Sequence, residues 1–508
     1  MVNTRRNMTK LRSHFATDHL KSDLKVRTVR GATATLIGQG IKLFLQIGST
    51  MVLARLLAPE DFGLVAMVTV ITGFLYMFKD MGLSDAAIQK EEVDHRQIST
   101  LFWVNVGLGL LLMVSLMALA PTIALLYQDP RLVWVTIALA LGALFGGLTV
   151  QHQALLRRQM RFSLLVTIDV LAMSMGIAAA LLGVWLSLGY WSLVLMQLTT
   201  ALTLAVGVWI GSGWWPGLPG RATGVRSMLV FGGYRSYANL VAYFTRNIDK
   251  VALGVAYGPH LTGLYTRAFT LLLLPAQQIA TPMMNVMMPV LSRLQHEPAQ
   301  YRDYYLKSIK TLAYVSMPIA AAMGALSTEI VLLILGDQWM RAAIIFKILA
   351  FVAFWLPLMQ SVIWVYLSLG RAKIMAVWFT IASPVTVAAV LLGLPWEAEG
   401  VAMGYAGATG LLLYPLFAFC LRGTSISVRD VLFAVHRPII LSLLIYLAME
   451  ATQSQVTEEG LIFTIFGAAG AGSAILLLSI TLSSTLRADC VSHFRIVKEH
   501  FFRKNKQS

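Results

Sequence analysis

A chain of 508 residues in which 57% are hydrophobic and only 13% charged, with a mean hydropathy of +0.71, lies far from soluble composition, where charged residues make up about 25%. Apolar runs recur from about residue 31 to about residue 483; they have the length of spanning helices, about 20 residues, and exceed that of barrel strands, about ten, so little is left for a soluble domain and a β-barrel is excluded. The formal charge of +16 does not point to nucleic acid, because the basic residues gather in the termini and in every second connection, as topogenic charge does.

The predicted elements run as follows. Residues 1–30 form a basic arm with Arg5, Arg6, Lys10, Arg12, Lys21, Lys25, Arg27 and Arg30; it has no early apolar core and does not resemble a cleaved secretory signal. A first six-helix bundle, 31–210, has spans at 31–56, 62–79, 99–120, 132–152, 162–186 and 191–210. The Gly-, Trp- and Pro-rich segment 211–226 reads as a cytoplasmic linker. A second six-helix bundle, 227–421, has spans at 227–256, 261–290, 311–335, 343–369, 374–393 and 400–421. Two additional spans, 431–450 and 461–483, and a basic cytoplasmic tail, 484–508, complete an all-α polytopic fold of about 14 transmembrane helices.

Orientation follows from the connections. One set holds Lys90 and Arg96, then Arg157, Arg158 and Arg161, Arg221 and Arg226, Arg293, Arg302, Lys307 and Lys310, Arg371 and Lys373, and Arg422 and Arg429. The opposite set is short and includes Pro59-Glu60-Asp61, Pro395-Trp396-Glu397 and Thr457-Glu458-Glu459, with Arg131 and Arg341 as the exceptions. The positive-inside rule puts both termini in the cytoplasm, which requires an even number of spans. Cys420 and Cys490 suggest neither a disulfide nor a metal site.

An internal repeat is visible at an offset of 200, where Leu53, Pro59, Gly63 and Leu64 coincide with Leu253, Pro259, Gly263 and Leu264. Each set marks a P-x-x-x-G-L turn between the first and second helices of a presumed half.

Ionisable groups at bilayer depth cost about 2.5–3.5 kcal/mol each on insertion scales and ordinarily face protein or an aqueous cavity. On the helix predicted at 227–256, Arg235, Asn239, Arg246, Asp249 and Lys250 fall within about 100° of one another. On the first helix Thr35, Gln39, Lys42 and Gln46 share a face about 60° wide. Arg267 and Asp169 add two further buried-charge candidates. A gap lined by Lys42, Arg235, Arg246, Lys250 and Arg267, with Gln39, Gln46 and Asn239 as polar lining, suits an anion such as a phosphate. The competing reading is a set of structural ion pairs, Asp249 with Arg246 or Lys250 and Asp169 with Lys42, or Asp249 and Asp169 as a coupling-ion site. Glu329 and Lys347 read as helix-end groups that snorkel, and His436 and Arg437 as topogenic. With no P-loop, no metal-ligand cluster and no large loop for catalytic groups, the sequence points to neither enzyme chemistry, a metal nor a cofactor.

The segment Leu53 to Leu64, then Asp80-Met81-Gly82-Leu83 and Ile88-Gln89-Lys90, resembles the opening of Wzx-type polysaccharide flippases of the multidrug/oligosaccharidyl-lipid/polysaccharide exporter superfamily. Residues 100–109 and 156–162, and Asn247-Ile248-Asp249-Lys250 with Gly258-Pro259, Gly263-Leu264-Tyr265 and Ala268, resemble the colanic-acid-exporter branch. The resemblance covers about 25–420 and implies two six-helix bundles forming a V, alternating access and a cationic central cavity. It also implies an undecaprenyl-pyrophosphate-linked oligosaccharide as substrate, the bacterial inner membrane as location, and a role in exopolysaccharide or lipopolysaccharide assembly. Membrane lipids, a polysaccharide polymerase and export machinery would be its partners, and nucleic acid would not. The rival readings are an ion-coupled multidrug antiporter, whose cavity would be acidic, a membrane polymerase or ligase, and a non-transporting scaffold for polysaccharide assembly.

Overall fold

A computed structural model describes residues 24–77, 95–218 and 233–456, and the helical positions 464, 467, 470 and 472. The basic arm before residue 24, residues 219–226 of the expected linker, most of the span expected at 461–483 and the tail 484–508 lie outside the described residues.

Every regular element among the described residues is helical. In chain order these are α1 (Leu24–Leu56), α2 (Pro59–Tyr76), α3 (His95–Tyr127), α4 (Arg131–Arg158), α5 (Phe162–Trp185), α6 (Trp191–Ser212), α7 (Gly233–Arg293), α8 (Pro298–Ala325), α9 (Ser327–Ile334), α10 (Met340–Ser368), α11 (Ala372–Gly393), α12 (Glu397–Leu421) and α13 (Val428–Val456). By length and composition nine of the described helical segments can cross a bilayer, one of them the 50-residue run Ala372–Leu421 that contains α11 and α12, and α8 with α9 makes a tenth if the bent pair is one span. The chain is a multi-pass membrane protein.

Helix ends follow local chemistry. Pro59 opens α2 at a position where its missing N–H is no loss, and the Asp61 carboxylate accepts from the Ala58 backbone N–H at 3.0 Å. The spans expected at 227–256 and 261–290 fall on α7, which is not among those nine segments, with 227–232 outside the described residues; α7 breaks at Gly258, whose φ of 76° and ψ of −166° lie where only glycine is comfortable. The span expected at 311–335 is corrected: α8 starts at Pro298, because its helix continues through the polar stretch holding Arg302, Lys307 and Lys310, and the chain turns by 80° between α8 and α9.

The chain divides into two compact units, Met1–Leu264 and Tyr265–Ser508. In the first, α3 packs on α4, α5 on α6, α4 on α6, and α1 on α5. Residues Gly211 and Ser212, expected in the linker, continue α6. Trp214 is buried against Ile98, Leu101, Phe102 and Leu155, and its Nε1–H donates to His95 Nδ1 at 3.1 Å. In the second unit the same scheme recurs: α8 packs on α10, α11 on α12, and α10 on α12, with α13 laid along α8.

The recurrence reaches individual residues at an offset of 210. Left-handed φ values pair Met160 (54°) with Gly370 (66°), Ser187 (57°) with Glu397 (56°), and Gly213 (59°) with Gly423 (72°). Arg161 donates to the Gly211 carbonyl at 2.7 Å, and Arg371 donates to the carbonyls of Arg422 and Gly423 at 2.8 and 2.9 Å. Arg131 and Arg341, the two exceptions to the charge asymmetry, are both neutralised. Arg131 pairs with Glu60 and Asp129, each at 2.7 Å, and Arg341 with Glu397 and, at 2.7 Å, Glu399. Burial by itself would raise the Asp129 carboxyl, but hydrogen bonds from the Arg131 side chain and backbone outweigh it and hold the group below the ordinary carboxylate range.

Lys347, expected to snorkel, instead pairs with Glu450 of α13 at 2.8 Å, and Gln453 donates to Glu329 at 3.0 Å. These polar contacts tie α10 and α9 to α13, which hydropathy alone does not reveal.

Candidate functional site

Three elements of the first unit carry most of the expected site. On α1, Gln39, Lys42 and Gln46 are all partly buried. Lys42 Nζ lies 2.8 Å from Asp169 Oδ2 of α5, with about a third of each side chain exposed, 36% and 38%. This pair sits on the α1/α5 contact, so it joins two packed helices as well as lowering the charge of the α1 face.

The first arm of α7 carries Arg246, Asn247, Asp249 and Lys250. Its buried side is made by Ala242, Asp249, Ala252 and Leu253, at helical spacing. Arg246 is exposed and Lys250 partly buried. Lys250 Nζ donates to Asn247 Oδ1 at 2.9 Å, Asn247 Nδ2 donates to the Tyr243 carbonyl at 2.9 Å, and the Tyr243 hydroxyl donates to the Val70 carbonyl of α2 at 2.7 Å. A chain of hydrogen bonds thus runs from α2 to the ammonium, fixing the direction in which Lys250 points. The fully buried Asp249 accepts from the Lys250 backbone N–H at 2.8 Å.

The side chains of Arg235 and Asn239 lie outside the described residues, although their backbone belongs to α7. Arg267 is partly buried and belongs to the second unit. The structure therefore joins Lys42 to Asp169 and Lys250 to Asn247, and leaves Arg246 exposed beside Lys250 on one helix.

Sequence reasoning passed over Asn247, whose amide is the hinge of this relay; its place three residues before Lys250 on one helix face was the available signal. It also passed over Asn105, Gln151 and His152, which are fully buried polar side chains on α3 and α4. The amide atoms of Asn105 and Gln151 have no protein hydrogen-bond partner, while His152 Nδ1 lies 2.8 Å from Ser212 Oγ. Polar residues inside otherwise apolar spans were the signal there. Among the described residues no group of three or more His, Cys, Asp or Glu is arranged to hold a metal ion.

Comparison with known proteins gives this geometry a family. Residues 52–344 match the family described as "Polysaccharide biosynthesis protein". The teichuronic acid biosynthesis protein TuaB of Bacillus subtilis (strain 168) is 27% identical over 309 residues, covering 60% of this chain and 64% of that protein. The lipopolysaccharide biosynthesis protein WzxC of Escherichia coli (strain K12) is 24% identical over 322 residues, covering 62% and 65%. The succinoglycan biosynthesis transport protein ExoT of Rhizobium meliloti (strain 1021) is 24% identical over 344 residues, covering 67% and 69%. The match to TuaB and WzxC thus spans slightly under two thirds of their lengths. Among solved structures, the lipid II flippase MurJ in an inward closed conformation superposes with a TM-score of 0.66 at 15% identity, covering 89% of this chain and 98% of that one. A multidrug resistance MATE family transporter in an inward-facing conformation gives 0.56 at 14% identity, covering 79% and 94%. These two likenesses show the fold. The chain belongs to the polysaccharide biosynthesis protein family.

Proposed function

We propose that the chain is a flippase that carries an undecaprenyl-pyrophosphate-linked oligosaccharide repeat unit across the bacterial inner membrane, from the cytoplasmic to the periplasmic leaflet, for exopolysaccharide or lipopolysaccharide assembly. The observation that carries the proposal is the cationic face of α7, with Arg246 exposed and Lys250 aimed by Asn247. A pyrophosphate carries its charge on several oxygens; the forked donors of Arg and the compact ammonium of Lys complement it. Lys42, Arg235 and Arg267 are the other cations assigned to the path. The names of TuaB, WzxC and ExoT support a glycan as cargo, and the lipid II flippase fold supports a lipid-linked one.

In this reading the protein alternates between two accessible states, and substrate drives the exchange only through a difference in affinity between them. The Lys42–Asp169 pair is a candidate for a contact that changes between states, because an exposed ion pair contributes only about 0–1 kcal/mol and is easily exchanged for substrate phosphate. An ion-coupled multidrug antiporter is the second reading, favoured by the MATE-like fold. Purified protein in proteoliposomes distinguishes them: transfer of a labelled polyprenyl-pyrophosphate oligosaccharide between leaflets is expected, whereas ion-coupled efflux of a cationic dye without lipid transfer would reject the flippase.

A further inference from the structure

Asn105 of α3 and Gln151 of α4 are fully buried, and neither the oxygen nor the nitrogen of either amide has a protein hydrogen-bond partner. The backbone brings these two side chains to one level. A Cβ on Gly147 would stand 2.5 Å from the Asn105 carbonyl oxygen, and one on Gly109 would stand 2.7 Å from the Ala143 carbonyl oxygen, so α3 and α4 run antiparallel in close contact with Asn105 opposite Gly147. One turn farther the rings of Phe102 and His152 are 5.8 Å apart, which puts Gln151 at the level of Phe102. Cα–Cβ bonds tilt toward the N-terminus of their own helix. In an antiparallel pair that tilt leans Asn105 toward Gln151 and Gln151 toward Asn105, so the two amides meet at the α3/α4 contact.

The neighbouring polar groups are committed elsewhere. Ser212 Oγ–H donates to the Trp209 carbonyl at 3.2 Å, so the Ser212 oxygen accepts from His152 Nδ1–H at 2.8 Å. Trp209 Nε1–H donates to the Leu148 carbonyl at 2.9 Å, and the His152 ring is walled by Phe102, Trp209 and Trp214. The second unit answers the same need within the protein. Ser361, which follows Gln151 by the repeat offset of 210, is fully buried; its Oγ–H donates to the Leu358 carbonyl at 2.6 Å, and it accepts from the Tyr305 hydroxyl of α8 at 3.1 Å.

The chemistry of two facing amides selects the ligand. A cation would take both carbonyl oxygens and leave both NH2 groups turned toward positive charge, and an anion would reverse the conflict. Only a small neutral molecule that donates and accepts suits both groups of each amide, and buried water typically makes about three such hydrogen bonds to polar groups the protein leaves unpaired. We propose that Asn105 and Gln151 form a binding site for internal water, which bridges α3 to α4 inside the first unit where Tyr305 and Ser361 bridge α8 to α10 directly in the second. The site is separate from the cations assigned to substrate, and its occupancy is read without a transport assay.

X-ray radiolytic footprinting of the full-length protein in lipid nanodiscs, read by mass spectrometry, tests this. Radiolysis makes hydroxyl radicals from water where the water sits, so a buried ring beside bound water is oxidised and an equally buried ring without it is spared. Phe102, one turn before Asn105, and Phe346 of α10 are both at most 2% exposed and have the same intrinsic reactivity. In the parent Phe102 is expected to be oxidised about fivefold faster than Phe346. Asn105→Leu/Gln151→Met replaces both amides by apolar groups of similar size and is expected to bring that ratio to about one. Should the double variant fail to fold, Gln151→Met alone is expected to lower the same ratio. Equal oxidation of Phe102 and Phe346 in the parent would mean that the amides satisfy each other without water and would overturn the proposal. So would a ratio unchanged in the variants, since water would then enter the unit without the amides.

Discussion

Gly63 of α2 faces the backbone carbonyl of Pro259 so closely that an added Cβ would overlap it, and Gly263 stands in the same relation to the carbonyl of Pro59. The two P-x-x-x-G turns that repeat at an offset of 200 therefore lock into each other, each glycine receiving the other turn's proline carbonyl. Backbone cannot retreat as a side chain can, so Gly63→Ala or Gly263→Ala should destabilise by about 1–3 kcal/mol, the usual cost of overpacking. Thermal unfolding of the purified protein would show a lower midpoint for either variant; an unchanged midpoint in both would contradict the reciprocal packing.

The Arg131 cluster predicts a pH dependence. Because the folded carboxyl of Asp129 lies below its unfolded value, its contribution is fully present above the unfolded pKa of about 3.9 and is lost as pH falls through the folded value. Asp129→Asn should thus lower the unfolding midpoint at pH 7, and the gap to the parent should close as the pH is taken below about 4. With the Arg131 side chain 42% exposed, the effect at pH 7 should not exceed about 1 kcal/mol. A gap that persists at acid pH would mean that Asp129 acts through packing.

Lys42 and Asp169 separate structural from transport roles. Exchanging them, Lys42→Asp with Asp169→Lys, should restore most of the stability lost in Asp169→Ala, itself no more than about 1 kcal/mol, because the α1/α5 pair is rebuilt with reversed polarity. Transport should stay impaired if the cation must stand on α1. Full recovery of transport in the exchanged protein would make the pair purely structural.

Trp214 tests whether the segment after α6 is part of the bundle. Trp214→Ala should cost about 3–5 kcal/mol as a large buried truncation, while Trp214→Phe, which keeps the ring contacts and loses the hydrogen bond to His95, should cost about 1 kcal/mol. Equal and small losses in the two variants would show that this segment does not contribute to the packed unit.

Much of the fold is legible in the sequence because bilayer physics forces it there. Apolar runs locate α1 to α6 and α10 to α13, with helix ends differing by up to seven residues, as at the start of α1 and the end of α3, and the Gly258-Pro259 dipeptide locates the break in α7. Hydropathy is blind to helix outside the bilayer, which is why α8 starts thirteen residues before the expected 311. The repeat at an offset of 210 is hidden for a different reason: Met160 and Gly370, or Ser187 and Glu397, share a backbone conformation and no side-chain chemistry. In the candidate site, charge sign and helical spacing single out Arg246 and Lys250 of α7, whereas Asp249, expected on the same face, lies on its buried side. Which cation each carboxylate engages is a tertiary matter; Asp169 and Lys42 are 127 residues apart, and Lys347 and Glu450 are 103.

The most direct measurement is leaflet transfer of a labelled polyprenyl-pyrophosphate oligosaccharide in proteoliposomes by the parent and by Arg246→Ala/Lys250→Ala, with equal insertion and equal unfolding midpoints as controls. Transfer by the parent and its loss in the variant is the predicted result. Equal transfer by both proteins would contradict the assignment of the α7 cations to the substrate path.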